Sequence, residues 1–293
     1  MSTAFGPARN CSTVSAEPGS AAIDLIEPCI RQAMAASAAR PFVVGLCGAQ
    51  GSGKSTACAG LKARLEATGQ HVALLSLDDI YLPLKDREAL AAQVHPLLRT
   101  RGVPGTHETA FGEALIAAFG QPGTVALPRF SKEMDTRLGE AEWARISTPV
   151  DIILFEGWCV GARPQKEADL TEPVNRLEAE EDRDTVWRRW VNARLAGDYQ
   201  RLFAHIDYLV LLAAPAFGVV SSWRREQEHK LRATLISEGK DLGATLDDAG
   251  IERFIQHYQR LTEHILIEMT GRADLCILLD ADRRPRLGAR ENL

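Results

Sequence analysis

The chain has 293 residues, 45% of them apolar and 25% charged, the make-up of a soluble globular protein with room for a substantial core. With 34 basic against 39 acidic side chains the net charge is −5, which argues against general nucleic-acid or anionic-membrane binding. Six scattered cysteines without a C-x-x-C pair point to a reducing, cytoplasmic setting, and no run reaches the ~18 apolar residues of a membrane span.

The first 20 residues, rich in Ser, Ala, Gly and Pro, read as a flexible tail ahead of one domain over 21–293. From Ala21 to Ala36 the spacing of Ile23, Ile26, Ile30 and Met34 predicts an amphipathic helix, with Pro28 awkward inside it. Pro41 to Cys47 has strand character, and Gly48, Ala49, Gln50, Gly51, Ser52, Gly53, Lys54 and Ser55 follow as a complete G-x-x-x-x-G-K-S loop. Thr56 to Glu66 then shows helical spacing, with Ala57, Leu61 and Leu65 on one face. Strand, glycine-rich turn and helix N-terminus converge N–H groups and the helix dipole on one anion, so residues 48–56 are expected to wrap a nucleotide polyphosphate. Gly48 and Gly53 supply backbone freedom, Lys54 a compact charge for the β/γ-phosphates, and Ser55 a hydroxyl suited to Mg²⁺.

Gly69 ends that helix, and His71 to Leu77 reads as a buried strand delivering Asp78 and Asp79 at its C-terminal end. Leu82 to Thr106 carries mixed composition and loop signals. A helix is expected from Glu108 to Phe119 with Ala110, Ala114, Leu115, Ala118 and Phe119 as its apolar face, then a short strand from Thr124 to Pro128. Val150 to Phe155 is a strong strand followed by Glu156, Gly157 and Trp158. After a polar stretch, Lys166 to Asp184, come a helix with Trp187, Trp190 and Leu195, a strand Asp207 to Ala213, a charged helix Ser221 to Leu235, a long helix Ile251 to Met269, a strand Asp274 to Leu279 and a basic tail. Apolar strands alternating with helices predict an α/β fold with a mainly parallel sheet covered on both faces, and ligands beyond the carboxyl ends of its strands.

A phosphate loop alone leaves kinase, GTPase, transport ATPase and motor open. The chain has no Asn-Lys-x-Asp guanine-reading motif and no Leu-Ser-Gly-Gly transporter signature. A small-molecule kinase needs acids at strand ends and basic groups over the transferring phosphate, and the chain offers both. Asp78 is the candidate base for an attacking hydroxyl. Asp79 either reaches Mg²⁺ through water or caps a turn, and Glu156 is the carboxylate for Mg²⁺. Arg99, Arg101, Arg129, Arg224 and Arg225 are the candidate basic groups, although Arg224 and Glu228, four apart, could simply pair. His107 is a candidate substrate ligand in a Pro-Gly-Thr-His turn, and Tyr81 and Trp158 could stack on a nucleobase.

Several segments together resemble the D-glycerate 3-kinase family of plant and fungal type, within the wider phosphoribulokinase, uridine kinase and pantothenate kinase group. They are the phosphate loop, Ser76 to Leu82, Arg101 to His107, Leu127 to Lys132, Ile153 to Trp158 with Val160 and Gly161, and Trp223-Arg224, in order from about residue 40 to 230. The resemblance implies a three-layer P-loop fold with a helical lid, and ATP- and Mg²⁺-dependent phosphorylation of a small anionic hydroxy acid, D-glycerate foremost. It further implies Asp78 as base, with Ile80 where the family carries Phe, and Lys54 and Arg224 on the transferring phosphoryl group. Ser55 and Glu156 would hold Mg²⁺, while His107, Arg129, and Arg101 or Lys132 would address the substrate carboxylate beside Tyr81. The chain departs from the family at Glu108, where Asp is common, and over 132–139, which keeps only Asp135 and Arg137 of a Gly-Arg-Gly-Asp-Arg run. Kinases of nucleosides, pantothenate or sugar phosphates are the same-class rivals, and a nucleotide-binding regulatory protein is the rival from another class.

Overall fold

The computed structural model describes residues 20–239 and 245–288, so the expected tail over its first 19 residues and the last five residues lie outside the described part. Helix α1 (Ser20–Ala36) leads to strand β1 (Phe42–Gly48), then α2 (Lys54–Glu66) and β2 (Val72–Ser76). Next come α3 (Leu84–Gln93), α4 (Thr109–Phe119), and four short strands, β3 (Gly123–Leu127), β4 (Phe130–Ser131), β5 (Thr136–Arg137) and β6 (Ala144–Thr148). Strand β7 (Ile152–Gly157) is followed by α5 (Arg176–Glu181), α6 (Val186–Arg194), α7 (Gln200–Phe203) and β8 (Tyr208–Ala213). Helices α8 (Phe217–Ser237) and α9 (Asp248–Glu268) and strands β9 (Leu275–Leu279) and β10 (Pro285–Leu287) close the described chain.

The main sheet has the order β10-β9-β8-β1-β7-β2, parallel throughout except for β10. Its middle strands β1 and β7 are buried along their whole length, which is why they read as unbroken apolar runs. One face is covered by Ile26 and Ile30 of α1, Leu61 and Leu65 of α2, and Val220 and Trp223 of α8. The other is covered by Leu115 and Phe119 of α4, Leu202 of α7, and Leu261 and Ile265 of α9. Each such side chain contributes about 1.5–3 kcal/mol on leaving water, so the three layers hold one another. All four residues predicted to face inward from α1, Ile23, Ile26, Ile30 and Met34, are buried, and Pro28 sits inside that helix.

Several local expectations change. The segment read as loop from Leu82 to Thr106 contains α3 and a 3-10 turn at Pro96–Arg99. Helix α3 lacks an apolar stripe, and its buried residue is Arg87, which donates to Leu82 O at 3.1 Å and Arg99 O at 2.5 Å and pairs with Asp135 at 2.7 Å. A helix held by a buried cation leaves no hydrophobic period to read. In α4 the bulkier Ile116 turns inward with Leu115 and Phe119, while Ala110 and Ala114 stay exposed, because alanine carries little apolar area. Strand β3 pairs with β6 in its own antiparallel ribbon, and β10 arises from what reads as a basic tail.

Candidate active site

Strand β1 ends at the phosphate loop. Gly51 (φ +77°) and Gly53 (φ +83°) adopt the left-handed backbone that glycine favours, whereas Gly48 matters for space: a Cβ there would lie 2.8 Å from Ser52 Oγ. Helix α2 begins at Lys54 with no side-chain cap from Gly53, so its first N–H groups are left for an anion. The buried Ser52 hydroxyl has no partner among the described residues, and Lys54 makes no ion pair among them.

Register then sets the acids. Glu156 on β7 lies level with Leu46 of β1 on one side and Ser76 of β2 on the other. Its Oε1 accepts from Ser55 Oγ at 3.2 Å and Ser76 Oγ at 2.9 Å, while Oε2 is buried without a partner. A buried unpaired carboxylate oxygen costs several kcal/mol unless a proton or cation satisfies it. Mg²⁺ characteristically takes one or two protein ligands and fills its shell with water and phosphate oxygens, and Ser55 with Glu156 fits that demand.

Strand β2 stops one residue earlier than expected, and Ser76 caps a 3-10 turn, Leu77–Ile80, by accepting from Asp78 N at 3.3 Å. Asp78 and Asp79 are therefore turn residues. Asp78 Oδ1 accepts from the Tyr81 hydroxyl at 3.0 Å, and Oδ2 meets Lys132 Nζ at 2.8 Å. Burial pulls the Asp78 pKa upward, but Lys132 and Lys54 outweigh it and hold the carboxyl well below the ordinary range. Asp79 turns elsewhere. Its Oδ1 accepts from Phe130 N at 3.0 Å and its Oδ2 lies 3.8 Å from Arg129, so it clamps the β4–β5 hairpin that carries Lys132. Burial, with Asp78 and Glu156 nearby, raises the Asp79 pKa.

His107 is bridged to Tyr81 through the backbone, and their rings stack at 4.3 Å. Its Nδ1 lies 2.5 Å from the Tyr199 hydroxyl, whose oxygen already accepts from Gly105 N at 2.8 Å. We assign the Tyr199 proton to Nδ1, which gives the phenol an acceptor, and the imidazole proton to Nε2, which is buried and has no partner among the described residues. Burial pushes the His107 pKa down to about 3, so the ring is a neutral donor. Tyr199 has no sequence signal; it lies 92 residues from His107, in a π turn between α6 and α7. Ser76 was legible in principle, since Ser-x-Asp after an apolar run is a capping pattern.

The other basic candidates are already engaged. Arg101 forms a tight ion pair with Asp135 and lies over the Phe130 ring at 5.7 Å. Arg137 donates to Glu108 at 2.9 Å and to Tyr81 O at 3.0 Å, so the retained pair Asp135 and Arg137 braces the hairpin. Arg224 pairs with the buried Glu228 at 2.7 Å and lies over Phe254 at 5.4 Å. Arg99 pairs with Glu88 and Arg225 with Glu252, both at the surface. Trp158 is buried, donates to Gly102 O at 2.8 Å and meets Tyr258 edge-on, and Tyr81 is buried under His107; neither ring face is open to a base. Burial pushes the Cys47 thiol up to about 12 and Cys58 and Cys159 well up too, the behaviour of packing side chains.

The profile of the methylmalonyl-CoA mutase-associated GTPase MeaB family matches residues 16–80, the stretch around the phosphate loop. The uncharacterized kinase mug58 of Schizosaccharomyces pombe is 33% identical over 266 residues, covering 84% of this chain and 90% of the yeast protein. The chloroplastic D-glycerate 3-kinase of Arabidopsis thaliana is 27% identical over 229 residues, 74% of this chain and 46% of the plant protein. The chain belongs to the family of P-loop kinases that includes mug58, and it is similar to D-glycerate 3-kinases. The solved D-glycerate 3-kinase from Cryptococcus neoformans superposes with a TM-score of 0.76 and 25% identity, covering 91% of this chain and 98% of that one. The protein is thus an ATP-dependent small-molecule kinase with a mainly parallel α/β fold. Among the described residues no helix is long and apolar enough to cross a membrane.

Proposed function

We propose that this kinase transfers the γ-phosphoryl group of ATP to D-glycerate, giving 3-phosphoglycerate, with Mg²⁺ bound by Ser55 and Glu156. The observation that carries the reading is the pairing of Asp78 with Lys132 at 2.8 Å, next to the His107–Tyr81 stack. A hydroxy acid needs a carboxylate to orient its hydroxyl and a cation for its acid group. Asp78 and Lys132 supply that couple side by side, with Arg129 held nearby through Asp79. The homologous D-glycerate 3-kinases support the same choice.

In this reading the loop N–H groups and Lys54 hold the polyphosphate, and the bound cation neutralises phosphate charge. Asp78 takes the hydroxyl proton as the oxygen attacks the γ-phosphorus, and the bond from that phosphorus to the bridging oxygen breaks, leaving ADP. Lys132 moves from Asp78 to the acceptor carboxylate, and the His107 Nε2–H donates to an acceptor oxygen. Arg224 joins the transferring phosphoryl group by leaving Glu228. The buried faces of Trp158 and Tyr81 weigh against a nucleoside acceptor. The proposal includes a cytoplasmic location, in keeping with the free thiols of Cys29, Cys47, Cys58, Cys159 and Cys276.

The test is ADP release from purified protein and Mg-ATP with D-glycerate, L-glycerate, uridine, pantothenate or ribulose 5-phosphate. D-Glycerate should give the highest kcat/KM. A higher value with any other acceptor overturns the substrate, and no stimulation by any acceptor would return the protein to a regulatory role.

A further inference from the structure

Strand β9 passes to β10 through a turn that the phosphoryl-transfer site does not explain. Asp280 Oδ1 accepts from Asp282 N at 2.9 Å and Arg284 N at 2.8 Å, and Arg283 N donates to Asp280 O at 3.0 Å. Arg283 is left-handed, with φ +65°, a conformation that residues other than glycine rarely adopt. That backbone directs the side chain across to the phosphate loop. Arg283 Nε donates to Gly51 O at 2.7 Å, its Nη2 meets Glu226 of α8 at 2.7 Å, and its guanidinium lies over the Trp223 ring at 5.1 Å. Trp223 completes the joint by donating to Ala281 O at 2.8 Å, and its Cβ occupies the space a side chain on Gly51 would need, 2.6 Å away.

Three segments distant in sequence thus meet at one peptide. The Gly51–Ser52 unit is held at both ends, its carbonyl by Arg283 and its N–H by Ala49 O at 3.2 Å. A phosphate loop works by turning N–H groups inward, so a carbonyl that swung toward the polyphosphate would repel it. A charge-assisted bond to Gly51 O keeps that carbonyl facing out before any nucleotide arrives. We propose that Arg283 is a positioning residue for nucleotide binding: it preorganises the phosphate loop and ties it, through Glu226 and Trp223, to the helix that carries Arg224. The inference rests on residues 48–55 being the nucleotide loop, and it is independent of which acceptor the kinase uses.

The experiment compares the full chain with Arg283→Met, Arg283→Lys and Glu226→Gln, first by titrating a fluorescent ADP analogue without acceptor, then by steady-state kinetics. Arg283→Met should weaken ADP and raise KM for ATP about tenfold, the loss of one charge-assisted hydrogen bond. Its kcat at saturating ATP and its KM for the acceptor should stay near wild type. Arg283→Lys, which can still reach one partner, should recover part of the affinity, and Glu226→Gln, which leaves the Gly51 contact, should lose less than Arg283→Met. Circular dichroism and melting identify any variant that fails to fold, and Arg283→Lys then carries the comparison. ADP affinity unchanged in a folded Arg283 variant overturns the inference, as does a fall in which kcat and both KM values move together with the melting temperature. Failure of wild type to bind the ADP analogue would instead overturn the reading of the loop itself.

Discussion

Lys132 Nζ lies 2.8 Å from Asp78 Oδ2, so the two charges the proposed reaction needs for different parts of the acceptor begin by neutralising each other. A neutral alcohol reaching Asp78 would have to displace the ammonium with nothing to offer it. An acid brings a carboxylate as replacement partner. Lys132→Met should therefore raise KM for D-glycerate about tenfold, the weight of a hydrogen bond between charged groups. Because Lys132 is 63% exposed, salt will screen part of the effect, and the gap to wild type should narrow at high ionic strength. The same change removes a cation that lowers the Asp78 pKa, so the acid limb of kcat/KM should move to higher pH. A wild-type KM together with an unmoved limb counts against both roles.

Asp78→Asn tests the base directly. The amide oxygen can still accept from Tyr81, as Oδ1 now does at 3.0 Å, so the turn should keep its shape. What disappears is the proton acceptor, and kcat should drop by about 10²–10⁴-fold. Nucleotide titration should give close to wild-type affinity. Near-normal turnover would reject Asp78 as base.

Glu156→Gln separates charge from shape. The amide oxygen retains an acceptor for Ser55 and Ser76, now at 3.2 and 2.9 Å, but the anionic Oε2 is lost. The Mg²⁺ concentration giving half-maximal activity should rise about tenfold or more. Activity titrated with Mg²⁺ at fixed ATP reads this out, and an unshifted curve removes Glu156 from the metal site.

What the sequence revealed depended on range. The phosphate loop, the buried strands and the position of Glu156 at a strand end all depend on local periodicity and on glycines, and they were legible from residues a few apart. The brace of α3 was not, because its buried Arg87 is satisfied by carbonyls and by Asp135, 48 residues away. The orientation of His107 was hidden for the same reason, since Tyr199 sits in another element. The i, i+4 spacing already offered Glu228 as a partner for Arg224, whereas Asp135, 34 residues from Arg101, was not legible; both partners decide where the cations point before substrate binds. The β9–β10 turn, read as tail, lacks any apolar pattern because a single arginine and a carboxylate cap organise it.

Three histidines make stability depend on pH in a defined direction. Burial depresses His107 to about 3 and His257 to about 4, and lowers His264 as well, against 6.5 for an exposed ring. Below pH 6.5 the unfolded chain takes up protons that these native rings refuse, so stability is fully present above that pH and is lost as pH falls toward 4. Each ring contributes a slope of about 1.4 kcal/mol per pH unit across its window. Urea unfolding at about pH 7.5, 6 and 5 should show the midpoint falling steadily. His257→Gln can keep a donor for Arg253 O, which His257 Nδ1 now meets at 3.1 Å, and should make the slope shallower. A midpoint that stays level between the two upper pH values would mean that the folded protein accepts these protons, and the neutral donor assigned to His107 would fall with it.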